Sequence, residues 1–213
     1  MDFSQPFRTL APTLDGAVLR VLARVDGALT TQQVIDLCDD GSPAGIRKVL
    51  RRLSDQGVVV EERIGRNYTF HANRDHLVWP AVELLLNAPQ RLDERIKTNV
   101  EAWEAPPLSV ELFGSVASGE ATAESDVDIL IVKPNMPTDD EDAWDRNVAR
   151  LRDDVERWTG NPCETLEVSP AELVEMQAAN EPILASSRIT VSGADVDTMI
   201  RAARIAAAKG SKS

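Results

Sequence analysis

Apolar residues recur at helical spacing three times in the first part of the chain, and a β-rich stretch follows. The first helix is predicted to begin after Thr13 as its cap, and the second begins at Thr30, which forms a capping box with Gln33. The third begins near Ser42, and its apolar stripe comprises Ile46, Val49, Leu50 and Leu53. Two β-rich runs that flank residues 64–66 predict a β-hairpin. The pattern is therefore three helices and a hairpin.

The third predicted helix has a basic face opposite its apolar stripe. At about 100° per residue its basic side chains fall together, and two more arginines lie near the tip of the hairpin. A helix of this kind enters a major groove while the hairpin arginines reach the neighbouring backbone, so the pattern predicts DNA binding. The predicted DNA-binding residues are Arg47, Lys48, Arg51, Arg52, Arg63 and Arg66. The alternative is that the basic residues of the helix form only the solvated face of an amphipathic helix.

The segment from Leu29 to Asn73 resembles the MarR- and ArsR-like winged-helix regulators. The resemblance rests on the motifs Leu50-x-x-Leu53-x-x-x-Gly57-Val58-Val59 and Tyr68-x-Phe70-x-x-Asn73. It implies a winged helix-turn-helix with DNA as its partner. Because such regulators commonly dimerise, a homodimer is a further expectation.

Charge is divided unevenly along the chain. Residues 1–75 contain ten Lys and Arg and ten Asp and Glu, so the whole net charge of −12 belongs to residues 76–213. A nucleic-acid surface is therefore expected at the front. Prolines at 80 and 89 interrupt a helical connection that precedes the break at Pro106-Pro107. The predicted division is a winged helix-turn-helix, a connecting helical segment, a second domain and a flexible tail, at 1–75, 76–107, 108–205 and 206–213.

Two carboxylates are predicted at the start of an apolar strand in the second domain. A short strand that ends at Phe113 leads into a Gly-Ser turn, and Ser125-Asp126-Val127-Asp128 opens the apolar strand. Because side chains alternate along a strand, Asp126 and Asp128 project to the same side. The two carboxylates repel each other, and a bound cation would relieve this repulsion. Oxygen ligands of this kind suit Mg²⁺ or Mn²⁺, which can also bind the phosphates of a substrate.

The Gly-Ser turn offers the other half of a nucleotide site. Gly114 lets the backbone approach a phosphate closely, and the amides that open the next helix can hold triphosphate oxygens together with the Ser115 hydroxyl. The predicted nucleotide-binding residues are Gly114, Ser115 and Ser125. Each half has an ordinary explanation by itself, since a Gly-Ser pair is common and Ser-Asp-x-Asp can be a turn at a strand entry.

In this order, the two motifs closely resemble the nucleotidyltransferase signature of the DNA polymerase beta superfamily, especially its minimal nucleotidyltransferase branch. The resemblance covers about residues 108–170. It includes a helix from Asp139 to Trp158, for which Thr138 and Glu141 form a predicted capping box. The expected fold class is mixed α+β: an N-terminal winged helix-turn-helix followed by a small mixed-sheet nucleotidyltransferase domain.

The superfamily also uses a third carboxylate on a later strand, for which residues 163–168 are the candidate. Alternation places Glu164 and Glu167 on opposite sides of this strand. Glu164 shares its side with Leu166 and Val168, and an unpaired carboxylate among aliphatic residues is costly. Glu167 is therefore the favoured third catalytic residue, with Glu164 in reserve.

The resemblance implies transfer of a nucleoside monophosphate from an NTP, with ATP as the donor by analogy, to an acceptor hydroxyl. Asp126 and Asp128 would hold two Mg²⁺ ions about 3.5–4 Å apart. Glu167 would bind the activating metal or take the acceptor proton. The acceptor is expected on a protein, such as a HEPN-type toxin to which this chain would be the antitoxin-like partner, or on an RNA.

Two departures from the superfamily pattern leave alternatives open. A glutamate replaces the frequent third aspartate, and Ser118 stands where many minimal nucleotidyltransferases have an arginine. One alternative is therefore a nucleotide-sensing transcriptional regulator whose transferase domain is inactive. A second is a small-molecule-modifying enzyme similar to the aminoglycoside nucleotidyltransferases, for which a DNA-binding module has no obvious use.

The sequence also indicates a compartment. It lacks a run of about 18 apolar residues to span a bilayer, and its N-terminus lacks the basic-then-apolar order of a signal peptide. Cys38 and Cys163 show no CxxC spacing, which argues against a disulfide framework or a zinc site. We therefore expect a cytoplasmic protein with no membrane partner.

Overall fold

A computed structural model describes residues 1–137 and 140–210 of the chain. The fold is mixed α+β, with helices and two small sheets. The chain divides into a front unit, Ser4–Ala88 with Asp2, and a rear unit, which runs from Pro89 onward with Met1 and Phe3. The predicted helix cap Thr138 and the predicted helix start Asp139 lie outside the described residues.

The front unit contains three helices and a three-stranded sheet in the predicted order, followed by one more helix. After a 3-10 turn, its elements are α1 (Asp15–Ala23), β1 (Leu29–Thr30), α2 (Thr31–Leu37), α3 (Pro43–Asp55), β2 (Val59–Ile64), β3 (Asn67–Ala72) and α4 (Trp79–Leu86). The strands are antiparallel in the order β1-β3-β2. Leu22, Ile46, Leu50 and Trp79 are among the residues buried between the helices and the sheet.

The helix starts in the front unit follow the predicted chemistry in two of three cases. Thr30 and Gln33 form the capping box of α2, and the Ser42 hydroxyl accepts from the Gly45 amide at the start of α3. Thr13 does not cap α1, contrary to the prediction, because its hydroxyl donates to the Asp15 carboxylate at 2.6 Å. The residue that precedes α1 is Leu14, which offers no side-chain acceptor.

The rear unit is built on a four-stranded mixed sheet in the order β6-β5-β4-β7. Only the pair β5 and β6 is parallel, and the others are antiparallel. Its elements are α5 (Ala88–Glu101), β4 (Ser109–Phe113), α6 (Gly114–Ser118), β5 (Val127–Val132), α7 (Glu141–Thr159), β6 (Cys163–Val168), α8 (Pro170–Ala179), α9 (Pro182–Ala185), β7 (Ile189–Gly193) and α10 (Val196–Gly210).

Helices cover both faces of this sheet. On one face, Val127, Ile129 and Ile131 of β5 pack into a core with residues of α5 and α7. On the other face, Leu130 and Val132 pack with residues of α8 and α10. Strand β5 is therefore buried on both sides, which explains why its sequence is an almost continuous apolar run after Asp128.

Two predicted boundaries differ from the observed elements. The predicted connecting segment 76–107 is divided between the units, with α4 in the front unit and nearly all of α5 in the rear unit. The final helix continues to Gly210, although a flexible tail was predicted from residue 206, and residues 211–213 lie outside the described residues. Within the described ranges, no helix is long and apolar enough to cross a membrane.

A buried ion pair ties the last third of the rear unit to the sheet. The Arg188 Nε atom donates to the Glu111 carboxylate at 2.8 Å, and both side chains are almost fully buried. Glu111 also accepts from the Thr190 hydroxyl at 3.0 Å and from the Val196 amide at 2.8 Å. Arg188 donates further to the carbonyl of Ile183 at 3.0 Å. The pair thus joins β4, α9, β7 and the start of α10.

We expect the substitution Glu111→Ala to lower the free energy of unfolding by about 3 kcal/mol, because it removes the buried partner of Arg188 and leaves only the exposed Asp197 to pair with that charge. Urea unfolding followed by circular dichroism measures this loss. Arg157→Ala is the control, since it breaks the exposed pair with Asp154 and should cost no more than about 1 kcal/mol. Equal small losses in the two variants would show that the buried pair does not anchor this region.

Candidate active site

Three acidic residues meet at one end of the rear sheet. Asp126 immediately precedes β5 and is exposed, whereas Asp128 is the second residue of the strand and is half-buried. In the strand register, Asp128 lies opposite Phe113 of β4 on one side and Glu164 of β6 on the other. Because directly paired residues of neighbouring strands project to the same face, Glu164 and Asp128 share one face of the sheet.

The electrostatics of Asp128 agree with this placement. Partial burial raises the pKa of the Asp128 carboxyl above its ordinary value, and the negative charges of Asp126 and Glu164 raise it further. The three carboxylates therefore repel one another, and a cation among them would relieve the repulsion.

The register places Glu167, the favoured third carboxylate, on the face of the sheet opposite to Asp128. This residue lies opposite Ile131, on the face that packs against α7, and the Trp144 indole nitrogen donates to its carboxylate at 2.5 Å. Glu164, the reserve residue, lies on the side of Asp128 instead. Both glutamates are exposed on the edge strand β6, so exposure does not distinguish them, and only the register with β5 separates their faces.

Gly114 lies directly against the carboxylate of Asp128. Its φ is +66°, and a Cβ atom at this position would lie 2.5 Å from the Asp128 Oδ2 atom. A side chain at position 114 would therefore clash with the carboxylate as well as strain the backbone. The turn from β4 into α6 thus favours a glycine at position 114.

The two predicted nucleotide-binding serines have different surroundings. No side chain caps the start of α6, and no residue in the described ranges hydrogen-bonds to the Ser115 hydroxyl. Ser115 is thus free to meet a ligand. In contrast, the Ser125 hydroxyl accepts from the Thr122 amide at 3.0 Å and closes the loop before Asp126. Ser118 is exposed, and its hydroxyl donates to the Ser115 carbonyl at 3.2 Å.

The acidic residues fit a metal that the substrate helps to bind. Within residues 1–137 and 140–210, no group of three or more His, Cys, Asp or Glu side chains is arranged to hold a metal ion. Mg²⁺ commonly takes one or two carboxylates and completes its shell with water and substrate phosphates, so a full protein cage is not needed. Asp126 and Asp128 are the carboxylates here that could hold such an ion.

The predicted DNA-binding residues of the front unit are separated by the structure. Arg47 and Arg51 line a cleft of about 590 Å³ between α2, α3 and the hairpin, together with Asn67 and Tyr68 of β3. Lys48, Arg52, Arg63 and Arg66 are exposed but do not line this cleft.

Two of the other predicted DNA-binding residues have partners within the front unit. Arg52 forms an ion pair with Asp15 of α1, and Arg63 donates to the Gly65 carbonyl at 3.2 Å. Tyr68 was not among the predicted DNA-binding residues, although it is the only tyrosine in the sequence and is 47% exposed.

Comparison with known proteins supports a transferase. Residues 92–183 match the nucleotidyltransferase domain family, and this segment contains the carboxylate site. No curated protein matches the chain significantly. One similar solved structure is that of TrmBL2, an archaeal chromatin protein described as showing a novel mode of DNA binding. It is 14% identical, with a TM-score of 0.27, over 78% of this chain and 68% of the other. The family match places a nucleotidyltransferase domain in the C-terminal half.

The placement of the two glutamates gives a direct prediction for metal binding. With an NTP analogue that cannot be cleaved between its α- and β-phosphates, Asp126→Asn and Asp128→Asn should weaken Mn²⁺ binding by about 10-fold or more, because each removes a charged ligand. Glu164→Gln should weaken it less, and Glu167→Gln should bind like the wild type. Electron paramagnetic resonance of free Mn²⁺ measures the affinities.

A loss of affinity in Glu167→Gln with none in Glu164→Gln would contradict this assignment of the glutamates. Thermal unfolding in EDTA gives an independent check. In the absence of metal, Asp128→Asn should raise the melting temperature, because it removes a carboxylate whose charged form is disfavoured.

Proposed function

We propose that this protein transfers a nucleoside monophosphate from an NTP to an acceptor hydroxyl on a protein or an RNA, with release of pyrophosphate. The observation that carries the proposal is the shared face of Asp128 and Glu164, with Asp126 nearby and the Gly114-Ser115 turn against Asp128. The family match at residues 92–183 supports the same reaction class. ATP is proposed as the donor by analogy.

In this proposal the residues of the turn hold the triphosphate. The hydroxyl of Ser115 and the amides that open α6 donate to phosphate oxygens. Asp126 and Asp128 would hold Mg²⁺ or Mn²⁺, which neutralises the charge that the carboxylates and the triphosphate bring together. The negative triphosphate would be repelled by the carboxylates if it bound alone. It is therefore expected to bind together with the cation.

Glu164 is proposed to act on the acceptor. Its exposed carboxylate lies beside Asp128, where it can accept the proton of the acceptor hydroxyl. The acceptor oxygen then bonds to the α-phosphorus, the bond from that phosphorus to the α,β-bridging oxygen breaks, and pyrophosphate leaves. Most of the rate gain would come from positioning and charge neutralisation.

Ser118 supports a second candidate function, in which the rear unit binds a nucleotide without reacting. Its short exposed side chain hydrogen-bonds within its own turn and brings no positive charge to the phosphates. A protein of this kind would be a nucleotide-sensing transcriptional regulator. Turnover distinguishes it from an enzyme.

The front unit is proposed to bind DNA through its cleft. Among the described residues, the side chains of Arg47 and Arg51 have no ion-pair partner, so both guanidinium groups are available to phosphates. Tyr68 and Asn67 add a phenol and an amide to the same cleft. Asp55 and Glu61 also line it and can accept from base amino groups.

Together, the two units fit a protein that modifies a partner and regulates its own expression. We propose an acceptor of the HEPN-type toxin class or an RNA, with this chain as the antitoxin-like partner and a homodimer as the DNA-bound form. The support for this role is that one chain combines a nucleotidyltransferase-like segment with a cleft that two arginines line.

Transfer of labelled nucleotide tests the proposed reaction. With Mg²⁺ and each NTP, the wild type should label candidate partner proteins or tRNA. Asp126→Asn and Asp128→Asn should abolish labelling, and Glu164→Gln should reduce it by about 100-fold, as expected for loss of a general base. Glu167→Gln is the matched control and should remain active. Nucleotide binding without labelling of any acceptor would favour the sensing regulator, and absence of Mg²⁺-dependent nucleotide binding would contradict both.

Fluorescence anisotropy with the protein's own promoter DNA tests the front unit. Arg47→Ala and Arg51→Ala should each weaken binding and lower the slope of log affinity against log salt concentration by about 0.9, the counterions released per phosphate contact. Arg52→Ala is the control, since Arg52 is already paired with Asp15 and should change the slope less. If the wild type does not bind DNA at low salt, the cleft is not a DNA-binding surface.

A further inference from the structure

Asn161 occupies the turn between α7 and β6 and is completely buried. Its side-chain amide nitrogen donates to the carbonyl of Thr122 at 3.1 Å and to the carbonyl of Ser125 at 2.8 Å. Both carbonyls belong to the loop that leads into β5. One side chain therefore joins the segment before Glu164 to the segment that ends at Asp126.

The remaining polar atoms of Asn161 also have partners. The side-chain carbonyl oxygen accepts from the α-amino group of Met1, and the backbone amide donates to the Thr159 hydroxyl at 3.1 Å. The Thr159 hydroxyl in turn donates to the Val155 carbonyl in the last turn of α7. These bonds fix the orientation of the amide group, so its two donors point at the loop.

The position of Asn161 in the sheet shows what these bonds do. The paired register of β5 and β6 begins with Val127 and Cys163, so Asp126 lies just outside it. The Val127 amide donates a hydrogen bond to the Pro162 carbonyl at 2.8 Å, at the end of the ladder between β5 and β6 that lies next to Asp126. Beyond it, the Asn161 side chain continues the connection to the Ser125 carbonyl, which belongs to the peptide bond that enters Asp126.

We propose that Asn161 is a positioning residue for the carboxylate site, which it serves by holding Asp126 at a set distance from Asp128 and Glu164. Asp126 is exposed and its backbone lies outside the sheet, so the loop alone would leave its carboxylate free to move away from the repulsion of the other two. The amide of Asn161 opposes this movement without adding charge. The catalytic consequence of this role rests on the proposed function.

The chemistry of the residue is specific. An apolar side chain would leave the Thr122 and Ser125 carbonyls without these donors, and a carboxylate of the same shape would place its oxygens against them. Asn161→Asp therefore removes the donors with almost no change in shape. Asn161→Ser shortens the side chain but keeps one hydroxyl donor.

The test compares Asn161→Ala, Asn161→Asp and Asn161→Ser with Asn99→Ala. Asn99 is a suitable control because it also joins two parts of the rear unit: it donates to Asp154 at 3.1 Å and accepts from the Trp103 indole at 3.0 Å, in α5 and away from the carboxylates. Two quantities are measured for each full-length variant: the Mn²⁺ affinity with the uncleavable NTP analogue, and kcat and KM for labelled transfer. Circular dichroism sets a common temperature at which every variant is folded.

We expect Asn161→Ala and Asn161→Asp to weaken Mn²⁺ binding by about 10- to 100-fold, the usual loss when a group that orients a metal ligand is removed. The value of kcat should fall more than KM for the nucleotide rises, because Ser115 and the turn before α6 are untouched. Asn161→Ser should give an intermediate loss of Mn²⁺ affinity. The Mn²⁺ affinity of Asn99→Ala should stay within about twofold of wild type, even if its melting temperature falls as much as that of the Asn161 variants.

Wild-type Mn²⁺ affinity in folded Asn161→Asp or Asn161→Ser would overturn this role, and so would equal losses in Asn161→Ala and Asn99→Ala. If Asn161→Ala does not fold, the Asp and Ser variants decide the question by the same criterion. Failure of the wild type itself to bind Mn²⁺ with nucleotide would instead overturn the proposed function, so the two failures are distinguishable.

Discussion

The burial of β5 on both faces is the constraint on which the rest of the rear unit depends. This strand pairs with β4 on one side and β6 on the other, and its residues from Ile129 to Val132 are inaccessible to solvent. A shift of one residue in either register would move polar residues into the two cores. The register is therefore strongly determined, and with it the placement of Asp128 beside Phe113 and Glu164.

The site exists because this constraint holds like charges together. Burial and the charges of Asp126 and Glu164 raise the pKa of Asp128, so its ionised form is disfavoured at this end of the sheet. The surrounding fold supplies the opposing stability through packing on both faces and through the buried pair of Glu111 and Arg188. A site that is unfavourable without its ligand is well suited to bind a cation and a triphosphate together.

The front and rear units present different chemistry to solvent. In the rear unit, acidic side chains lie beside a glycine turn, the arrangement that we propose for a cation and phosphates. In the front unit, two arginines and a tyrosine line a cleft whose cations have no partner among the described residues. Arg52 shows why basic composition alone is a weak guide, since its charge is already engaged by Asp15.

The sequence by itself determined those features that depend on residues close together in the chain. The capping box at Thr30, the glycine at 114 and the spacing of Asp126 and Asp128 belong to this group, because local backbone geometry fixes where such side chains point. Only the tertiary structure put Glu164 and not Glu167 on the face of Asp128, gave Asn161 its two carbonyl partners and paired Glu111 with Arg188. Alternation shows that two glutamates lie on opposite sides of a strand, but which of them faces Asp128 depends on the register with the neighbouring strand, which tertiary packing sets.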